Sequence, residues 1–471
     1  MTARVHPSPP PATTNSPIVT AYRQQTPGSA ALATRAREIF PSGIVHDARR
    51  LDPYEIYVTH AAGARKWDVD GNEYVDYYGG HGALLLGHTH PVVTESVQRQ
   101  LERGTHYAAC HELEVEWGEL IKSMVPCAER VRFTSSGTEA NLMAFRLARA
   151  YTGKTKLVRF TGHFHGWQDH SAFGYDSHFD GTATPGVLKE IAENVLLAPP
   201  DDIAATTNLL NGRDDVAAVI LEPTGASFGV QPVGIDLINA LRRVTAERDI
   251  VLIFDEVVTG FRISPGGAQA YYGVTPDLAT YAKVVAGGLP GGAVAGRKQI
   301  LDLLDFDAAK AGGFEKIGHH GTFNANPASA AAGIAALTFI REHDACNTAS
   351  RQAAKLRQML NGVFNELGVP WAAYGRHSAV FVYTNPDGDP VDPLHFDAST
   401  CPHEKLRRTG KGPVVAKLRL ALLLNGVDIS SKPGGLTSCV HGDDDLERTQ
   451  QAFRSALDML RREGELAPAG A

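Results

Sequence analysis

From Ile56 to Tyr78 the run IYVTHAAGARKWDVDGNEYVDYY interleaves β-branched and aromatic residues with polar ones and breaks at Asp70-Gly71, the pattern of an antiparallel meander. Beyond about residue 96 the pattern changes. Short apolar runs, KLVRF (156–160), AAVILEP (217–223) and IVLIFDE (250–256), alternate with stretches of helical spacing, which predicts a mostly parallel sheet layered between helices. Further along, Ala353, Leu356, Met359, Leu360 and Phe364 recur every three or four positions, and Leu446, Phe453, Leu457 and Leu460 do so again. Two stretches carry no period. Residues 1–28, rich in Pro, Thr and Ser, read as a flexible N-terminal arm, and 385–412, loaded with Pro, Asp, Gly and Lys, as a long surface excursion. The pattern therefore divides the chain into the arm, a small segment over 29–95, a large α/β/α domain over 96–340 and an α+β part over 341–471.

Length and composition agree with this division and narrow the function. The 471 residues exceed one compact core and suit an enzyme of several parts. A formal charge of -7 offers no basic footprint for nucleic acid. No apolar run reaches the roughly 20 residues a membrane span needs, and the N-terminus lacks the apolar core of a secretory signal. The expectation is a cytoplasmic enzyme with neither nucleic acid nor membrane as partner. Cys110, Cys127, Cys346, Cys401 and Cys439 are scattered without a CxxC pair, so neither a metal site nor a disulfide framework is expected.

Chemistry gathers at a few turns. In VRFTSSGTEAN (131–141) a β-rich run ends in small hydroxyl residues and Gly137 before a helical segment. Backbone N–H groups there, with Ser136 and Thr138, suit an anion; alone, the same residues also read as an ordinary helix cap. Asp255 and Glu256 follow the strand VLIF directly, which places a carboxylate at the C-terminal edge of a parallel sheet, where such sheets bind ligands. Lys283, the only lysine between Lys189 and Lys298, lies in the apolar, glycine-rich PDLATYAKVVAGGLPGGAVAG. A desolvated lysine has a lowered pKa and attacks aldehydes, although composition alone also allows a surface lysine at a loop edge. GHFHGW (162–167) and HHGTFN (319–324) supply Phe164 for stacking on a ring and Thr322, beside Gly321, as a further phosphate donor; singly, each also reads as packing or turn chemistry.

Taken in order, these segments, with WDVDGNEYVDY (67–77), LGHTHP (86–91), FHG (164–166), LEP (221–223), FDEVVTGFR (254–262), GGAQAYYGVTPDL (266–278) and GTFNANP (321–327), resemble the class III aminotransferases, a branch of the aspartate-aminotransferase-like enzymes that use pyridoxal 5′-phosphate (PLP). The glutamate-1-semialdehyde aminomutase branch is the nearest in pattern. The resemblance implies that Lys283 carries PLP as a Schiff base and that Asp255 pairs with the pyridine nitrogen. Val257 would lie under the ring opposite Phe164, with His165 and Glu222 in the cofactor shell, and Ser136, Gly137 and Thr138 would hold the phosphate. Gly321 and Thr322 would reach it from a neighbouring subunit, which implies a homodimer with shared sites.

Departures from the aminomutase pattern concern the substrate. That branch carries Ser-Trp where this chain has Gly80-His81, Asn-Ser where it has Val45-His46, tyrosine in place of Phe164, histidine in place of Trp167, and a phenylalanine-glutamate loop where ISSKPGGLTS (429–438) stands. Arg49 falls where the aminomutases keep a carboxylate-binding arginine. Arg49, His46, His81 and Trp167 are thus the candidate substrate residues, although both histidines also read as structural. The expected reaction is transfer of an amino group between an amine or amino acid, a β-amino acid or aryl-bearing amine among them, and a keto acid. Intramolecular 2,1-amino transfer and decarboxylating transamination are the alternatives.

Overall fold

The computed structural model describes residues 16–466. Its strands, in chain order, are β1 (Val58–Ala62), β2 (Arg65–Asp68), β3 (Glu73–Asp76), β4 (Arg130–Thr134), β5 (Lys156–Phe160), β6 (Val195–Ala198), β7 (Val216–Leu221), β8 (Gln231–Pro232), β9 (Val251–Asp255), β10 (Leu278–Ala282), β11 (Gly292–Gly296), β12 (Ala372–Tyr374), β13 (Ala379–Tyr383), β14 (Val427–Asp428) and β15 (Gly434–Leu436). The apolar runs of the middle of the chain become the large sheet, ordered β4-β11-β10-β9-β7-β5-β6. Its pairings from β10 through β9, β7 and β5 to β6 are parallel; β11 runs antiparallel to both its neighbours. Every residue of β7 and β9 is buried, as strands covered on both faces require. Along β7, Val219 and Leu221 join one apolar cluster with Trp117 and Leu237, while Ala218 and Ile220 join another with Leu147 of the helix Gly137–Thr152. The period of two divides the strand between the helical layers.

The meander forms as the alternation predicts, β1, β2 and β3 pairing antiparallel, but β14 extends it, parallel to β3. The helices Ala345–Glu366 and Asp443–Arg462 bury Leu356, Leu360, Phe364, Leu446, Phe453, Leu457 and Leu460 in one cluster with Tyr74, Val75 and Tyr77. The two ends of the chain thus share a core.

The flexible arm is corrected. Its residues 1–15 lie outside the described residues, and from Ser16 onward the chain forms the helices Pro17–Gln25 and Pro27–Ile39. Ser16-Pro17 and Thr26-Pro27 are helix starts, proline being suited to the first helical position, so a Pro/Thr/Ser composition here marks helix entry. Ile18, Val19 and Tyr22 share one face and are buried. Ser16 Oγ accepts the Val19 N–H and donates to both Glu463 oxygens, at 2.5 and 2.7 Å. The excursion 385–412 is mostly irregular but holds the helix His403–Arg408, anchored by buried Leu406.

A buried charge cluster fixes the turn after β3. Lys66 Nζ lies 2.8 Å from Asp76 and 2.6 Å from Asp428, and Asp76 also meets His88 Nε2 at 2.7 Å. Burial opposes the charge on Lys66, but Asp428 and Asp76 hold its ammonium above the ordinary lysine range. Asp76 also accepts the N–H groups of Tyr78 and Gly79, which sets the direction of the chain into Gly80-His81. Lys66→Met leaves two carboxylates buried without their shared counter-charge, and an urea titration should show a loss of about 3–5 kcal/mol.

Among the described residues, no helix is long and apolar enough to cross a membrane.

Candidate active site

Asp255 ends β9 at the C-terminal edge of the parallel strands, and three groups fix its carboxylate. His165 Nδ1 lies 2.7 Å from Oδ2, Asn141 Nδ2 donates to the same oxygen at 2.8 Å, and the Val257 N–H donates to Oδ1 at 3.0 Å. Asn141 is itself oriented: Thr280 Oγ1 donates to its Oδ1 at 2.6 Å, so its NH₂ faces Asp255 and the His165 carbonyl. Burial pushes the wholly buried His165 toward its neutral form, against the pull of Asp255. In the tautomer that donates from Nδ1, its other nitrogen, Nε2, has no partner among the described residues.

The next strand of the sheet, β10, runs beside β9 and delivers Lys283 immediately after its last residue. Lys283 has φ +58°, a left-handed conformation that costs a non-glycine residue on the order of 1–3 kcal/mol and tends to occur where function demands it. The side chain makes no hydrogen bond among the described residues. Burial pulls its ammonium below the ordinary lysine range, Asp255 and Glu222 raise it in part, and Arg262 lowers it further. The uncharged, nucleophilic amine is favoured accordingly.

Glu222, one residue past β7, is buried and accepts the N–H groups of Phe164 (2.8 Å), Ser227 (3.0 Å) and Phe228 (3.2 Å). Burial, with the nearby charge of Asp255, pushes its carboxyl up to about 7, although those three donors oppose the shift. A carboxyl with a folded value of about 7 against an ordinary 4.5 binds its proton more tightly when folded. Its contribution to stability therefore falls as pH rises through that window. Denaturation midpoints of cofactor-free wild type and Glu222→Gln should diverge in slope across the window and run parallel above it.

The helix Gly137–Thr152 begins against these groups. Ser136 Oγ accepts the Glu139 N–H at 3.2 Å, so the cap is realised, and the first-turn N–H groups remain an anion site. A Cβ on Gly137 would stand 2.9 Å from a Val257 methyl and 3.4 Å from Ala282 Cβ, and one on Gly166 (φ +94°) would stand 2.6 Å from Thr138 Oγ1. The helix start is thus pressed between the residues that flank Asp255, Lys283 and His165. An unpartnered lysine, an oriented buried carboxylate and a glycine-lined helix N-terminus match in kind the aldehyde, pyridine nitrogen and phosphate of PLP.

The remaining predicted residues fall into two groups. His46 and His81 stack, with ring centroids 4.5 Å apart at 20°, and Tyr78 meets His81 edge-on. Burial, then the charges of His46, Arg49 and Lys283, push His81 down to about 4, so His46, Arg49 and Lys283 each lie within electrostatic reach of His81. Tyr78 Oη donates to the Ala48 carbonyl at 3.0 Å and ties their loop down. His46 also has a structural task, its Nδ1 accepting the Ala48 N–H. Trp167 does not join them: it is 83% exposed and makes no ring contact among the described residues. Gly321 and Thr322 are exposed too, with no hydrogen bond to the Asp255–Lys283 group. Phe164 is half exposed, its ring 5.0 Å from that of Tyr175.

Asn141 and Thr280 are site positions to which no motif in the sequence assigns a role. Their only signal is polarity out of place, an amide on the buried stripe of a helix and a hydroxyl in the all-buried strand LATYA. Arg262 is a third such position, fully buried and spending its guanidinium on the Gly82 and Thr437 carbonyls and Ser378 Oγ.

This fold and site define a PLP-dependent enzyme of aspartate-aminotransferase-like architecture. The chain belongs to the class-III aminotransferases, whose family model matches residues 47–367. A glutamate-1-semialdehyde 2,1-aminomutase of Methanopyrus kandleri is 35% identical, over 93% of this chain and 99% of that protein. Among solved structures, an omega-transaminase from Sphaerobacter thermophilus superposes with a TM-score of 0.83 at 32% identity, covering 94% of this chain and 99% of that one. A transaminase with PLP bound does so with 0.81 at 30%, covering 93% and 99%.

Proposed function

We propose that the protein transfers an amino group between an amine or amino acid and a keto acid, with PLP held at Lys283 and Asp255. The observation that carries this reading is the pairing, on adjacent strand ends, of a left-handed lysine whose side chain has no hydrogen-bond partner among the described residues and a carboxylate fixed by His165, Asn141 and the Val257 N–H. When bound, the cofactor supplies an electron sink for the bond broken at the amine-bearing carbon. Lys283 Nζ would hold it covalently, and the same nitrogen, once free, would carry a proton to and from the amine-bearing carbon. Asp255 would face the ring nitrogen, and His165, Asn141 and the Val257 N–H aim its carboxylate there. The helix start at Ser136, Gly137 and Thr138 would hold the phosphate, and Phe164 and Val257 would pack against the ring.

In this reading Gly321 and Thr322 serve the phosphate of a second copy, and a homodimer with shared sites is the working unit; their exposure, with that of Trp167, supports it. Arg49 receives a substrate carboxylate, and His46, His81 and Trp167 shape the pocket for a β-amino acid or aryl-bearing amine.

A second reading, 2,1-transfer within one molecule, is favoured by the name of the Methanopyrus kandleri relative. Cofactor absorbance followed during stepwise addition of substrates separates the two. Bleaching by an amine, restored by pyruvate or 2-oxoglutarate, is the expected result. Turnover of glutamate-1-semialdehyde with no keto acid present supports the second reading, and gas release supports decarboxylation. Purified protein that stays colourless after added PLP would sink all three.

A further inference from the structure

Lys432 carries a charge that no carboxylate answers among the described residues. It lies in ISSKPGGLTS, between β14 and β15, and its Nζ donates to Tyr175 Oη at 2.7 Å and to Ser227 Oγ, while standing 4.5 Å from the centroid of the Tyr175 ring. A partly buried ammonium held only by neutral hydroxyls has paid part of its desolvation cost without an anion to offset it.

Two connections bring this group to the site of Lys283. The Ser227 and Phe164 N–H groups donate to the same oxygen of Glu222, and Ser227 is held there at φ +52°. The Phe164 ring in turn packs beside Tyr175, the acceptor of Lys432. Lys432 therefore stands on the Phe164 and Glu222 wall, whereas Arg49 is grouped with His46 and His81.

We propose that Lys432, with the hydroxyls of Tyr175 and Ser227, forms a second anion subsite that binds a carboxylate remote from the reacting carbon, so that the enzyme prefers dicarboxylic substrates. This rests on the transamination reading for its role in turnover, and the two fail separately. The subsite has the donors a carboxylate needs: an ammonium, with three protons for two neutral acceptors, and two hydroxyls that can turn from accepting to donating. Arg49 and Lys432 together then span a substrate with an acid at each end.

The test is calorimetric titration of the PLP-loaded enzyme with glutarate and with butyrate, which differ by one carboxylate. Wild type should bind glutarate at least about tenfold more tightly, the size of one charge-assisted contact. Lys432→Met should bind the two alike while keeping wild-type cofactor absorbance, and Lys432→Arg should restore the preference. Should Lys432→Met not fold, Tyr175→Phe should narrow the preference severalfold. The subsite is overturned if wild type shows no preference, including binding neither acid, or if Lys432→Met or Tyr175→Phe keeps it whole. Absence of any amine turnover in wild type instead defeats the transamination reading.

Discussion

Lys283→Ala should bind PLP, lose the absorbance of the covalently held cofactor and turn over about 10²–10⁴-fold more slowly from the missing proton transfer alone. The expectation follows from what surrounds the residue. Its nitrogen has no hydrogen bond among the described residues, so its removal leaves no buried partner unpaired, and Ala282 and Val284 keep their packing. In the proposed reading cofactor affinity rests in addition on Asp255 and the helix start at Gly137, which the substitution leaves in place. The measurement is single-turnover bleaching with an amine, alongside the cofactor content of the purified variant. Added methylamine, small enough to enter the space of the lost side chain, should recover part of the rate. A variant that turns over like wild type would remove Lys283 from the chemistry.

The second large effect is expected of Asp255→Asn. The substitution keeps the shape and removes the charge that His165, Asn141 and the Val257 N–H converge on. An amide cannot hold a proton on a ring nitrogen as a carboxylate does, and its NH₂ group turns one of those donors into a clash of like dipoles. Breaking a buried charge pairing of this kind costs about 3–5 kcal/mol, or roughly 10²–10⁴-fold in rate if it falls on the transition state. Stopped-flow absorbance should show cofactor bound yet slow to bleach. Equal loss in melting temperature and rate would instead indicate a structural carboxylate. Asn141→Ala should lie between wild type and Asp255→Asn, since it removes one donor and leaves the charge.

Much of this site is legible in the chain because its groups stand where short-range rules place them. Asp255 and Lys283 each follow an apolar strand, and a strand end in a parallel sheet is a ligand edge whatever the rest of the fold does. Asn141 and Thr280 escape such rules, since a buried amide and hydroxyl acquire meaning only once the helix Gly137–Thr152 lies against β10. The N-terminal helices escape for another reason: their composition is that of a loop, and only the spacing of Ile18, Val19 and Tyr22 tells against it. No local signal announces that β14 pairs with β3, because two residues are too few to carry a period. Trp167 is a candidate by likeness alone and Thr322 by a hydroxyl-bearing turn and likeness, and the chain leaves both on its surface.

The clasp between the chain ends sets an order of assembly. Ser16 meets Glu463 across 447 positions and Arg65 meets Asp445 across 380, while Lys66 waits for Asp428. During synthesis the strands that present Asp255 and Lys283 are complete long before those partners exist, and domains fold in the order they emerge. In the proposed reading the residues that would hold the cofactor are therefore expected to be in place first. The turn that leads to His81 is braced by Lys66 only once Asp428 has emerged, so in the proposed reading the groups that would hold the cofactor precede the brace beside a candidate substrate residue.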